Sequence, residues 1–131
     1  MIRKNLGVFL VMLSALFSWN CGESTAPTPR DSIGTYDLVS FKGKALPVSL
    51  NDTLSLVSSI MVLGSDDSYK ETITYESHGV QSVSVFDGIF SSDGRLVLVQ
   101  FSTGGGFQLE VADKRYLTEN DANGIIVYRK R

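Results

Sequence analysis

The residues equipped for chemistry are few: one cysteine, Cys21, and one histidine, His78, in a chain of 131 residues. Zinc takes three or four His, Cys or carboxylate ligands. Neither residue has such neighbours in sequence, so no metal and no cofactor is expected. Ser77 and His78 pair a hydroxyl with a base, but adjacent residues in a strand point to opposite faces, and Gly79 marks His78 as an exposed turn residue. Asp66-Asp67 and the run "ENDANG" beginning at Glu119 have the composition of calcium loops. An EF-hand loop closes on a glutamate at its twelfth position, and counted from Glu119 that position is Lys130. Both stretches read as turns whose Asp and Asn accept backbone hydrogen bonds. The glycines at 104–106 lack the Lys-Ser/Thr of a phosphate loop and open a strand instead of a helix. Glu71, Glu76, Asp87 and Glu110 fall on strands and read mostly as solvent-facing. A glycosidase needs two carboxylates about 5 to 10 Å apart across a cleft, and nothing in the sequence singles out such a pair. The expectation is a protein that is not an enzyme.

Charge narrows the partners. Twelve Lys and Arg stand against fourteen Asp and Glu; removal of Arg3 and Lys4 with a leader leaves ten against fourteen, a net charge of −4. Nucleic-acid binding rests on Lys and Arg neutralising phosphates, so nucleic acid is not expected as a partner. The N-terminus has the organisation of a signal peptide over residues 1–20: Arg3 and Lys4, an apolar run from Leu6 to Trp19, then Cys21. That run is shorter than the roughly 20 apolar residues of a membrane-spanning helix. Residues 23–32, "ESTAPTPRDS", carry Pro27 and Pro29 among small polar residues and no apolar periodicity. Such a segment buries too little surface to offset its ordering entropy, and residues 21–33 read as an attachment point and a disordered tether.

A charged start, a short apolar run, a cysteine and a Ser/Thr/Pro-rich tether resemble a bacterial lipoprotein precursor. The resemblance implies that Cys21 becomes the first mature residue and carries lipid on its sulfur, anchoring the domain to a membrane of the cell envelope. The positions before it, Ser18, Trp19 and Asn20, depart from the Leu and small residues of that family's cleavage box. Ordinary cleavage after Ala26, giving a secreted or periplasmic soluble protein, and an uncleaved anchor are the alternatives.

From Gly34 the chain alternates strand-like runs with turn signals. Strands are expected at residues 35–41, 54–63, 69–76, 80–91, 95–101, 107–112, 115–118 and 125–130, with turns at 64–68, His78-Gly79, 91–94, 102–106 and 119–124. Tyr69, Ile73 and Tyr75 alternate with Lys70, Thr72 and Thr74, the period-2 pattern of a half-buried strand. Short strands at regular spacing indicate a sandwich or a barrel, and short connections make sequence neighbours sheet neighbours. The expected fold of residues 34–131 is therefore all-β, a small eight-stranded up-and-down antiparallel barrel, which removes sticky sheet edges. A β-sandwich or an open meander is the alternative.

The opening "GTYDLVSFKGKALP" and the closing "GIIVYRK" resemble the lipocalin-like domains of bacterial envelope lipoproteins, through Gly34, Tyr36, Gly43, Leu46 and Pro47. The opening strand is also similar to the META type of envelope domain, without that family's Cys-Asn motif. The lipocalin-like resemblance implies that Arg129 lies across Tyr36 as a cation-π pair. It also implies a small hydrophobic or amphipathic ligand inside the barrel. Leu38, Val83, Val85, Phe101, Phe107, Leu109 and Val111, or their alternates, are the expected interior. Those side chains could equally fill an eight-stranded barrel, leaving a structural or protein-interaction module with no ligand. Strands at 54–63, 80–91 and 95–101 are apolar on both parities, so their registers stay open.

Overall fold

The backbone N–H and C=O groups along a strand need a partner strand on each edge, and here most of the length of the long strands finds one. The computed structural model describes residues 28–122 and 124–131; the leader at 1–20 and Cys21 lie outside the described residues. The strands are β1 (Gly34–Phe41), β2 (Lys44–Ala45), β3 (Val48–Ser49), β4 (Leu54–Leu63), β5 (Ser68–Ser77), β6 (Val80–Ser92), β7 (Leu96–Phe101), β8 (Gly106–Asp113), β9 (Tyr116–Asp121) and β10 (Gly124–Lys130). From β4 to β10 each strand pairs antiparallel with the next, β10 returns to β1, and β1 pairs with β4 from Gly34↔Leu63 to Asp37↔Ile60. The result is a closed eight-stranded up-and-down barrel. The short strands β2 and β3 lie outside the ring, against β1 and β4. Closure leaves neither the two stacked layers of a sandwich nor the two borders of an open meander.

Bulges in β4 and β1 set which of their residues face inward, because one extra residue moves every later side chain of the strand to the other face. In β4 the register shifts between Leu56 and Ser58, so the buried set passes from Leu56 to Ser59, Met61 and Leu63. In β1 the shift lies between Leu38 and Ser40. Tyr36 and Leu38 are buried before it, and Phe41 packs against the core after it. The remaining core comes from Tyr69, Phe90, Val97, Val99, Leu109, Leu117, Ile126 and Tyr128.

The two ends of the barrel differ. Part of the expected tether is ordered: Pro29–Ser32 forms a 3-10 helix, with Thr28 N–H donating to the Asp31 carboxylate at 2.8 Å. This turn plugs one end. Ser32 is buried beside Ser92, their hydroxyls 3.0 Å apart, Tyr36 Oη donates to the Ser32 carbonyl at 2.9 Å, and Lys130 Nζ donates to the Asp31 carbonyl at 2.9 Å. The opposite end carries β2, β3, the loop at Leu50 and the tip of the β5–β6 hairpin. That hairpin outruns the wall beside it: β7 pairs with β6 only from Gly88 to Ser92, so residues 80–86 have β5 on one edge and no strand on the other.

Where β6 leaves β7 behind, the backbones come close. A Cβ on Gly88 would lie 2.0 Å from the Gln100 carbonyl oxygen, a contact that only backbone movement could relieve. Gly88→Ala is therefore expected to lower the unfolding free energy by about 1 to 3 kcal/mol, measured by urea denaturation. An unchanged midpoint would show that the β6–β7 crossing is not so constrained.

Candidate functional site

The inward parity of β5 places Tyr69, Glu71, Ile73 and Tyr75 on one line down the interior. Glu71 is 5% exposed, although it is an acid inside an apolar barrel. Its neighbours explain how it is accommodated: Ser59 Oγ donates to Oε1 at 2.5 Å, Tyr128 Oη donates to the same oxygen at 2.7 Å, and Tyr69 Oη donates to Oε2. Three strands supply these donors, β4 through its bulge, β5 and β10. A buried carboxylate is costly unless its oxygens are hydrogen-bonded, and three hydroxyls meet that need in part.

Burial and the adjoining carboxylate act on the phenols in the same direction. The pKa values of Tyr69 and Tyr128 are raised well above the usual tyrosine range, first by desolvation and then by the negative charge of Glu71. Tyr36 is pushed up to about 12 by burial, with Asp31 adding to it. Glu119 is raised by burial, then by Asp121 and Glu71.

Beside Glu71, towards the unplugged end, lies a cavity of about 110 Å³. Its floor is Glu71 with Ser59 and Tyr128, its walls are Leu38, Leu56, Ile73 and Tyr75, and Phe41 and Leu50 complete it. A larger depression of about 680 Å³ runs over Gly88 between Lys70, Ile89 and Gln100, open to solvent. The 110 Å³ cavity joins apolar walls to the buried Glu71 carboxylate.

The expected interior residues divide. Leu38 lines the cavity and Leu109 is fully buried. Phe101 and Phe107 pack edge-on to the Tyr69 ring, with centroids 5.9 and 5.8 Å away, and Val111 packs against the core. Val83 and Val85 do not face inward: they are 60% and 57% exposed, because β6 buries the even parity of Phe90. The Tyr36–Arg129 pair does not form either. Tyr36 is 1% exposed and spends its hydroxyl on Ser32, while Arg129 is exposed and stands opposite Asp37. Lys130 takes the position opposite Tyr36, one residue along and hence on the other face. Glu71, read as solvent-facing, is inside. Its signal was present in the alternation of "YKETITY", where Glu71 shares parity with Tyr69 and Ile73. Ser59 was hidden, since only the bulge brings it inward. Cys21 lies outside the described residues. His78 sits in the β5–β6 turn with φ +53°, next to Gly79 at +77°.

Among the described residues no group of three or more His, Cys, Asp or Glu could hold a metal ion, and no helix is long and apolar enough to cross a membrane.

Two outcomes test this core. Tyr128→Phe removes one donor to Glu71 and is expected to cost about 1.5 to 3 kcal/mol, read from denaturant unfolding. Alkali should unfold the protein, because Tyr36, Tyr69 and Tyr128 all have folded pKa values above the unfolded value of 10.0. The native state then holds protons that the unfolded state releases. Stability is fully present below pH 10 and falls as pH rises beyond it, by up to about 1.4 kcal/mol per pH unit for each tyrosine. Tyrosinate absorbance rising well before the β-sheet circular dichroism is lost would count against this burial. No family model, no curated protein and no solved structure matches this chain.

Proposed function

We propose that the protein is a non-catalytic binding module of the bacterial cell envelope, anchored by lipid at Cys21, whose barrel admits part of a small hydrophobic or amphipathic molecule. One observation carries the ligand reading: the barrel is plugged at one end by Pro29–Ser32, and near the other an apolar-walled cavity ends on a buried polar floor. Ligand sites in proteins usually measure about 300 to 1,000 Å³. A cavity of about 110 Å³ therefore takes only a head group or a chain end, with the remainder crossing Leu50 and Phe41. The lipid anchor rests on the lipoprotein-like N-terminus and the lipocalin-like reading on the barrel with its opening and closing strands. Leu38 is the cavity-lining residue from the expected interior; the others belong to the packed core or, for Val83 and Val85, to the outside.

A second reading, an interaction module with a filled core, is favoured by the free edge at residues 80–86. The sequence "VQSVSVF" there has no charge and no proline, and Val80, Val83, Val85 and Phe86 are exposed. Such an edge is a template for strand addition.

For the ligand, the protein purified from envelopes is expected to carry or take up a neutral naphthylamine probe, detected by fluorescence and native mass spectrometry. Ile73→Trp, which fills the cavity, should abolish uptake while the fold persists by circular dichroism. A wild-type barrel recovered empty and unable to bind the probe would end the ligand reading. Concentration-dependent association that Val83→Lys reverses would favour the edge. For the anchor, Cys21→Ser should abolish fatty-acid labelling and release the protein from membranes; unchanged labelling refutes the lipid attachment.

A further inference from the structure

We propose that the cavity selects a cationic head group, that of a small organic amine, with Glu71 as its counter-ion; this rests on the ligand reading above. Three donors, Ser59, Tyr69 and Tyr128, hold the Glu71 carboxylate as an acceptor. A carboxylate has about four lone-pair sites. Oε1 takes two of the donors and Oε2 one, leaving Oε2 room for another. Hydroxyls supply hydrogen bonds but no positive charge, and an ionised group without a cation is the expensive case of burial.

No cation among the described residues fills that role. The ion pairs are Lys42–Asp121 at 3.4 Å and Arg131–Asp37 at 2.9 Å, both at the surface. Lys130, which shares the inward parity of β10, commits its ammonium to the Asp31 carbonyl at the plugged end. Lys42 lies over the Phe41 ring at 5.3 Å and is paired with Asp121. The charged group that Glu71 does influence is a second acid, Glu119. The cavity lining thus offers a carboxylate and no cation, and it includes the Tyr75 and Tyr128 side chains.

An ammonium entering from the unplugged end would pair with the Glu71 carboxylate and rest part of its charge against those rings, an arrangement favoured in a desolvated site. A carboxylate head would meet like charge. The small volume confines the enclosed portion to the ammonium and a short alkyl stem.

The test compares three probes of one shape, n-butylammonium, n-butanol and n-butyrate, by calorimetry and by displacement of the neutral naphthylamine, with sodium chloride as the ionic control. The expected result is n-butylammonium bound about tenfold or more tighter than n-butanol, about 1.4 kcal/mol or more, and n-butyrate weakest. Glu71→Gln, which keeps the shape, should erase the preference. Tyr75→Leu, outside the hydrogen-bond cluster, should reduce it and serves if the glutamine variant does not fold. Equal binding of ammonium and alcohol, or a preference that survives Glu71→Gln, overturns the cation site while leaving the ligand reading intact. Failure of all three probes and the naphthylamine removes both.

Discussion

The antiparallel pairing of β1 with β10, from Tyr36↔Lys130 to Ser40↔Val127, is the constraint on which the molecule depends. It is the one long-range seam in an otherwise sequential meander, and it turns a sheet with two open borders into a ring. Once closed, the ring has an inside, and eight strands make that inside just wide enough for side chains to fill. Every later distinction in the structure, between core and surface and between the plugged and unplugged ends, follows from that closure.

Closure alone does not give polarity to the interior. Two bulges do so by switching parity within single strands. Without the shift in β4, Leu56 would be followed inward by Ser58 and Ile60, and Glu71 would lose one of its three donors, Ser59. The shift in β1 takes the inward set from Leu38 to Phe41, bringing an aromatic ring to the edge of the cavity. Residues that look unremarkable along the chain thus become the setting for a buried acid. The same rule works in reverse on β6. Its even parity faces in, so Val83 and Val85 become an exposed outer surface on a hairpin that extends past its neighbour.

The plug shows how local and distant chemistry cooperate. Pro29 and the Thr28–Asp31 hydrogen bond make a single tight turn from a segment too polar to pack by itself. Tyr36, Ser92 and Lys130, from three strands, then hold it with hydrogen bonds. A composition that reads as tether becomes structure because the barrel end supplies partners for its backbone carbonyls.

Sequence alone determined the strands. Alternation in "YKETITY", turn chemistry at Asp93-Gly94 and His78-Gly79, and the shortness of every connection are local properties, and they set eight strands and their meander order. The β1–β10 seam was within reach because a meander of that length has one economical way to cover its edges. The interior was only half legible: Leu38, Phe107, Leu109 and Val111 sit on strands whose parity could be read, while Phe101 sits on one that is apolar on both faces. Val83 and Val85 failed because a period-2 pattern that is apolar on both faces gives no preference between them, and the Tyr36–Arg129 pair failed because Tyr36 stands opposite Lys130, a slip of one residue that exchanges inside for outside. Only the tertiary structure decided those registers, by how the whole ring packs. It alone brought Ser59 and Tyr128, 12 and 57 residues away in sequence, to the carboxylate that Tyr69 already neighbours on β5.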